Sequence, residues 1–280
     1  MDRTARPVIG FLTDFGLDGA AATCRGVILG ICRDAQIVDI CHTVRKYAIG
    51  DGSYLLAASL PYLPVGAHLA VVDPGVGTER RPIAIRARRG DLLVGPDNGL
   101  LIEASEALGG IDAVRVLENR AFWLPETSST FHARDVFAPV AANLAAGTAE
   151  FDALGPMLTP AQLVRLPSPE VRTADGVLET VVTYVDSFGN VRMAGGEDDL
   201  SAAFGEPRQI EQLALEFRRT SVTPASRQLV RHARTFGEVE PGSALLYIDS
   251  SGKLALADNR GNVAERLGFA ADMPVRISRP

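Results

Sequence analysis

Three side chains in this sequence suit work on a water molecule. Asp73 lies in Val71-Val72-Asp73-Pro74-Gly75, Arg80 follows seven residues later, and His132 lies in Ser129-Thr130-Phe131-His132-Ala133-Arg134-Asp135. In such a set the carboxylate accepts from the water, the guanidinium holds the carboxylate as an anion, and the imidazole orients the water or relays its proton. Spacing along the chain does not show that they meet, and each residue has an ordinary structural use. Aspartate before glycine is turn or helix-cap chemistry, and a histidine at a loop–helix junction is commonly satisfied by its neighbours. Asp14 in Thr13-Asp14-Phe15-Gly16 and Asp97 in Asp97-Asn98-Gly99 repeat the acid-beside-glycine pattern of Asp73 at the ends of strand-like segments. Together the three predict a polar pocket outside the carboxyl ends of a sheet, wanting hydroxyl or cationic partners rather than phosphate.

Competing chemistries find less support. No H-x-H, H-E-x-x-H or D-x-D pair is present, and His42, His68 and His232 have no nearby ligand partner in sequence, so no metal centre is expected. His68 reads simply as a strand start. No G-x-G-x-x-G or G-x-x-x-x-G-K-[ST] occurs, which argues against dinucleotide and ATP sites. Lys46 and Lys253 are the only lysines, leaving little room for a phosphate-loop or Schiff-base lysine. With 28 basic and 34 acidic residues the net charge is −6, the wrong sign for a nucleic-acid or anionic-membrane binder. No apolar run approaches the roughly 20 residues that span a bilayer, and no signal-peptide stretch opens the chain. The three cysteines, Cys24, Cys32 and Cys41, lack metal-type spacing, and buried thiols in a reducing cytoplasm are expected.

The elements that must position these residues alternate over the first half. Strands are expected at Val8–Leu12, Gln36–Ile40, His68–Val72, Ile83–Ala87, Leu92–Val94 and Ala113–Leu117. Helices are expected at Cys24–Ile31, Gly50–Leu60, Leu100–Leu108 and Val136–Ala146. Near-continuous apolar strands separated by helices predict a mostly parallel sheet covered on both faces. A proline-rich stretch then changes the pattern, and Val177–Val185, Leu213–Phe217 and Leu245–Ile248 read as strands separated by tight turns. The fold class is α/β. An N-terminal, mostly parallel α/β sandwich domain spans 1–166, a linker 167–176, and a smaller, mostly antiparallel β domain, sheet or barrel, 177–280. In the second domain Asp186-Ser187-Phe188-Gly189-Asn190 and Asp249-Ser250-Ser251-Gly252 read as β-turns, and Phe236 as core. Asp258-Asn259-Arg260-Gly261-Asn262 reads as a turn that also suits an N-cap before a helix at Val263–Leu267.

Six segments in this order resemble the S-adenosyl-L-methionine hydroxide adenosyltransferase family, relatives of the enzymatic fluorinase and chlorinase. They are Phe11-Leu12-Thr13-Asp14-Phe15-Gly16, Val71-Val72-Asp73-Pro74-Gly75-Val76-Gly77-Thr78, Gly95-Pro96-Asp97-Asn98-Gly99-Leu100, Thr130-Phe131-His132-Ala133-Arg134-Asp135, Asp186-Ser187-Phe188-Gly189-Asn190 and Gly261-Asn262-Val263-Ala264. The resemblance covers nearly the whole chain. It implies an N-terminal α/β domain, a C-terminal antiparallel β-barrel domain, a trimer with active sites between neighbouring subunits, a small-molecule substrate and no cofactor. Water would displace methionine from C5′ of S-adenosylmethionine, giving adenosine and L-methionine. It places Asp73, Arg80 and His132 at the water, Asp14 and Tyr47 at the ribose, and Asp186 and Ser250 at the methionine. Phe188, Asn190, Phe236 and Asn259 fall around the adenosyl group. A halogenase resembling this chain carries tyrosine in place of Asp73, since a carboxylate repels a halide. Two positions depart from the pattern. Ala133 stands where the hydrolases usually have glycine and the fluorinase serine, and Ser251 stands where the fluorinase has an arginine at the methionine carboxylate.

A sulfonium leaves without acid assistance, so the expected reaction is in-line displacement by a positioned, desolvated water. With an ordinary pKa of about 3.9 an aspartate cannot hold a preformed hydroxide, so the proton leaves as the C–O bond forms. The alternatives are a halogenase, a metal-dependent phosphohydrolase with Asp14, Asp73, Asp97 and His132 as ligands, and a non-catalytic S-adenosylmethionine or adenosine sensor.

Overall fold

The computed structural model describes residues 6–174, 176–206, 211–218 and 225–280, which fall into two compact units, 1–166 and 167–280. In the first unit the strands are β1 Val8–Thr13, β2 Gln36–Cys41, β3 Ala67–Val71, β4 Pro82–Ala87, β5 Leu92–Pro96, β6 Ile111–Val116 and β7 Met157–Leu158. They form one sheet in the order β2-β1-β3-β5-β4-β6-β7. The half that carries the acidic strand ends (β2, β1, β3 and β5) is parallel, while β4, β6 and β7 run antiparallel to their neighbours. Strands β1 and β3 are buried along their whole length, as parallel strands covered on both faces must be.

Helices α1 (Ala20–Ile31), α2 (Ile49–Ser59), α3 (Ile102–Ala107) and α4 (Ala138–Ala146) supply that cover. Cys24 and Ile28 of α1 and Val140 and Ala141 of α4 pack with Ile9, Phe11 and Leu69 on one face. Leu56 of α2 and Ala104 of α3 pack with Leu12, Ala70, Ile83 and Leu93 on the other. The helix expected from Val136 begins earlier and differently. A π-helical turn over Ala133–Phe137, its cap closing Ala138 N–H onto the carbonyl of Ala133, runs into α4.

His68 is more than a strand start. It is fully buried, its Nδ1 accepts the Gly10 N–H at 3.0 Å, and its Nε2 donates to Asp91 Oδ1 at 3.0 Å. Its partner sits on the β4–β5 turn, outside any local spacing rule.

The second unit is a closed barrel. Its strands are β8 Arg172–Ala174, β9 Val177–Val185, β10 Val191–Gly196, β11 Gln212–Phe217, β12 Ser226–His232, β13 Ala244–Ile248, β14 Lys253–Asp258 and β15 Pro274–Ser278, with helices α5 (Glu197–Phe204) and α6 (Val263–Leu267). The order β10-β14-β13-β12-β11-β15-β9 closes through a β9–β10 pairing, with β8 added on the outside of β9. All pairings are antiparallel except β12 with β13. Alternate residues fill the interior, Leu178, Val182, Leu213, Leu215, Leu254 and Leu256 among them. Residues 172–174 of the expected linker therefore pair in this sheet, while Asp175 lies outside the described residues. Among the described residues no helix is long and apolar enough to cross a membrane.

Candidate active site

Asp14 follows directly from β1, and the loop behind it is tied down from several sides. The Thr13 hydroxyl accepts the Phe15 N–H at 3.3 Å and bonds His42 Nδ1 at 2.8 Å, and the His42 carbonyl accepts the Gly16 N–H at 2.6 Å. Oδ2 of Asp14 accepts the backbone N–H of Tyr47 at 2.9 Å. Tyr47 reaches that position with φ of 64°, a left-handed conformation that costs a bulky residue about 1–2 kcal/mol. The residue is 71% exposed.

Asp73 lies just past β3, and the loop turns back through Val76 N–H to the Asp73 carbonyl and Thr78 Oγ1 to the Gly75 carbonyl. That return brings Arg80 against Asp73 in a two-pronged pair, Nε to Oδ1 at 3.1 Å and Nη2 to Oδ2. The two side chains are 7% and 5% exposed. Nη2 of Arg80 also lies 3.4 Å from His132 Nδ1. Nη1 has no oxygen or nitrogen partner, and the guanidinium carbon lies 5.2 Å from the centre of the Phe137 ring, whose face stabilises the charge. His132 caps the π-helical turn. Burial first, and the Arg80 cation second, hold its pKa below the ordinary imidazole value, against weaker upward pulls from Asp73 and Asp135. The imidazole is therefore neutral at neutral pH.

These elements enclose a cavity of about 220 Å³, with Asp14, Tyr47, Asp73, His132 and Ala133 in its wall. Of the first-unit residues expected at the site, Asp14, Tyr47, Asp73 and His132 line this cavity, with Arg80 standing behind Asp73. Asp97 does not join them. Its Oδ2 accepts from Arg81 at 2.9 and 2.5 Å and its Oδ1 accepts the Val164 N–H at 3.0 Å, so it braces the unit instead. Among the described residues no three His, Cys, Asp or Glu side chains are grouped to hold a metal ion.

Lys46, Phe15, Thr130 and Phe131 also line the cavity, although sequence reasoning gave none of them a role. Lys46 Nζ donates to the Phe15 carbonyl at 3.1 Å, and the rings of Phe15 and Phe131 meet edge to face at 5.9 Å. A lysine outside any motif carries no local signal. Those two aromatics stand inside the quoted motifs, next to Asp14 and His132.

In the barrel unit Asp186 organises its own turn. Its Oδ1 accepts the N–H groups of Phe188 and Asn190 at 2.9 and 2.8 Å, and its Oδ2 accepts from Asn190 Nδ2 at 2.8 Å. Gly189 has φ of 82°, and a Cβ there would lie 1.9 Å from Asn262 Oδ1, so the turn closes against the one that caps α6. Asn259 Nδ2 donates to the Val239 carbonyl at 2.7 Å. Phe236, expected in the core, is 41% exposed, and its ring meets that of Tyr247 at a tilt, centroids 5.3 Å apart. Ser250 is exposed in the β13–β14 hairpin, at the opposite end of β14 from Asn259. Phe188 is 75% exposed.

An open α/β sheet with a buried carboxylate–guanidinium–imidazole cluster at its strand ends, followed by a closed barrel, has clear counterparts. Residues 9–155 match the model of the SAM hydroxide adenosyltransferase N-terminal domain, and residues 180–276 match that of the C-terminal domain. The chain belongs to the SAM hydroxide adenosyltransferase family, and it is an enzyme. It is 45% identical over 274 residues to the (R)-S-adenosyl-L-methionine hydrolase of Salinispora tropica, covering 97% of this chain and 98% of that one. It is 28% identical over 306 residues to the fluorinase of Actinopolyspora mzabensis, covering 99% of each. The fold is similar to that of an uncharacterized conserved protein from Thermotoga maritima, with a TM-score of 0.84 and 31% identity over 97% of this chain and all of that one.

Proposed function

We infer that this enzyme hydrolyses S-adenosyl-L-methionine to adenosine and L-methionine. The observation that carries this reading is Asp73, a buried carboxylate at the cavity wall whose charge is matched by Arg80. A carboxylate there repels halide and accepts from water, which favours hydrolysis over the halogenation performed by fluorinases. The similarity to named hydrolases supports the same choice.

The reaction follows from the residues. A water in the cavity donates to Asp73 and is oriented by His132. Its oxygen bonds to C5′ as the C5′–S bond breaks, the bonding pair staying on sulfur to give the neutral thioether of methionine. The water's proton passes to the Asp73 carboxylate and then to solvent. Sulfur departs uncharged, so no acid and no cofactor is needed, and the Asp14 carboxylate at the cavity wall complements a sulfonium. Asp14 and Tyr47 hold the ribose, Asp186 and Ser250 the methionine, and Phe188, Asn190, Phe236 and Asn259 the adenosyl group.

We also propose a homotrimer with its active sites at subunit interfaces. The cavity of about 220 Å³ is below the roughly 300–1,000 Å³ of a complete small-molecule site. The rings of Tyr47 and Phe188, bare in the single chain, suit a partner's cover. The free thiols of Cys24, Cys32 and Cys41 suit a cytoplasmic setting.

Incubation with S-adenosylmethionine, with and without chloride and with and without EDTA, tests the assignment. Adenosine and methionine in equal amounts, indifferent to both additions, are expected. Formation of 5′-chloro-5′-deoxyadenosine would mark a halogenase, loss of turnover in EDTA a metal enzyme, and binding without product a sensor. Any of the three overturns the reading.

A further inference from the structure

The wall of the cavity that contains Thr130, Phe131 and His132 belongs to a loop, and that loop is held by a side chain the reaction does not use. Asp135 is completely buried. Its Oδ2 accepts the Ser128 N–H at 2.8 Å and Arg134 Nη2 at 3.0 Å, and its Oδ1 accepts Arg134 Nε at 2.6 Å. Its carbonyl accepts the Leu124 N–H at 2.9 Å. One residue thus ties Leu124 and Ser128, on the approach to the cavity wall, to the π-helical turn.

The neighbours of this tie reach the reacting groups from two sides. Arg134 lies with its guanidinium carbon 5.0 Å from the centre of the Phe131 ring, which itself lines the cavity. Ser129, next to the gripped Ser128 N–H, presses its carbonyl on Gly77, where a Cβ would approach to 2.6 Å. Gly77 belongs to the loop that carries Asp73 and Arg80. Displacement of Ser128 would therefore shift His132 and loosen its contact with the Asp73 loop together. Burial alone would push the Asp135 pKa up, but Arg134 and the Ser128 N–H outweigh it and hold the carboxyl below its usual range. The grip is therefore ionic and persists at neutral pH.

We propose that Asp135 is a positioning residue for His132: by gripping the Ser128 N–H and the Arg134 guanidinium it fixes the 128–132 loop so that the imidazole meets Arg80 at the cavity wall. The proposal rests on the hydrolase reading, since a catalytic rate is what it governs. His132 faces Arg80 and Asp73 from the β3–β4 loop and Asp135 from its own turn, and it shares the cavity wall with Asp14 and Lys46.

The test compares wild type with Asp135→Asn, which keeps the shape and loses the charge, and with Arg134→Ala, which removes the partner from a partly exposed site. Wild type is assayed first. If it forms no adenosine the hydrolase reading fails, and the positioning role fails with it. If wild type turns over, Asp135→Asn is expected to lower kcat about tenfold or more with KM within about twofold. Arg134→Ala should lower kcat in the same direction and less. Nitrogen-15 NMR of the His132 ring should change from one dominant Nε2–H tautomer to a mixture in both variants. Unchanged kcat and an unchanged His132 spectrum in folded variants would overturn the proposal, even if thermal stability fell. Should Asp135→Asn fail to fold, the Arg134→Ala rate and spectrum decide.

Discussion

Arg80 donates from Nη2 toward His132 Nδ1 across 3.4 Å while the same nitrogen bonds Oδ2 of Asp73. A guanidinium has no lone pair to offer, so Nδ1 of His132 must be the acceptor and the ring hydrogen sits on Nε2. One cation thus sets the tautomer of the histidine and the orientation of the carboxylate. In the proposed reaction this leaves Asp73 to accept the water's proton and His132 as a neutral donor at the cavity wall.

Removing either partner of the water should cost chemistry more than binding. Asp73→Asn and His132→Ala are each expected to reduce methionine release by about 100-fold or more, the scale of a lost general base or orienting group. S-adenosylmethionine affinity, measured by calorimetry, should change by less than roughly threefold, because neither residue is assigned to the adenosyl or methionine ends. Wild-type turnover in both variants would remove the water-site assignment.

The pH profile should follow the depressed His132. The neutral imidazole is the working form, and it is protonated only as pH falls below the ordinary value of about 6.5. The acid limb of kcat/KM should therefore lie below pH 6.5, and the plateau should extend through neutrality. An acid limb above pH 6.5 that vanished in His132→Ala would show the opposite shift.

Tyr47 separates strain from function. Tyr47→Gly relieves a left-handed cost of about 1–2 kcal/mol and adds about 0.4–1 kcal/mol of unfolded-state entropy. The exposed side chain buries little, so denaturant unfolding should show stability unchanged or raised by up to about 1.5 kcal/mol. KM for S-adenosylmethionine should rise, since the aromatic wall at the ribose is gone. Unchanged KM would remove Tyr47 from the site.

Stability in acid should depend on the buried His68–Asp91–Arg89 cluster. Burial alone would raise the Asp91 pKa, but hydrogen bonds from Arg89 and His68 hold the carboxyl far below its usual range. A carboxyl depressed in the folded state stabilises it above the unfolded pKa of about 3.9, and that stabilisation disappears as pH falls further. Asp91→Ala, which also leaves the donors of His68 and Arg89 unpaired, should lower stability at pH 7 by about 3 kcal/mol, and the gap to wild type should narrow below about pH 4. A pH-independent difference would show that packing, not charge, dominates.

Much of the site was legible because it sits where local patterns change. Asp14 and Asp73 each stop a buried apolar strand, and His132 opens a helix, so a period-based reading finds them. Asp97 fits the same pattern and yet turns to Arg81 and Val164, because the two arginines of the β3–β4 loop choose different carboxylates. No spacing rule makes that choice. Phe236 and His68 escaped for the related reason that burial and partners come from other strands.

The sequence by itself determined the alternation of strands and helices in the first unit and the residue types at its strand ends, because these depend on near-neighbour patterning and on turn chemistry. The tertiary structure decided that Arg80 meets Asp73 and His132, that Lys46 enters the cavity, that Asp135 grips the Ser128 N–H and which strands pair to close the second sheet. Those outcomes depend on which strands become neighbours. The order β2-β1-β3-β5 sets residues far apart in the chain within hydrogen-bond reach, and the pairing of β9 with β10 removes the sheet edge. Short-range patterning fixes what each segment is, whereas the packing of whole elements fixes what each side chain meets.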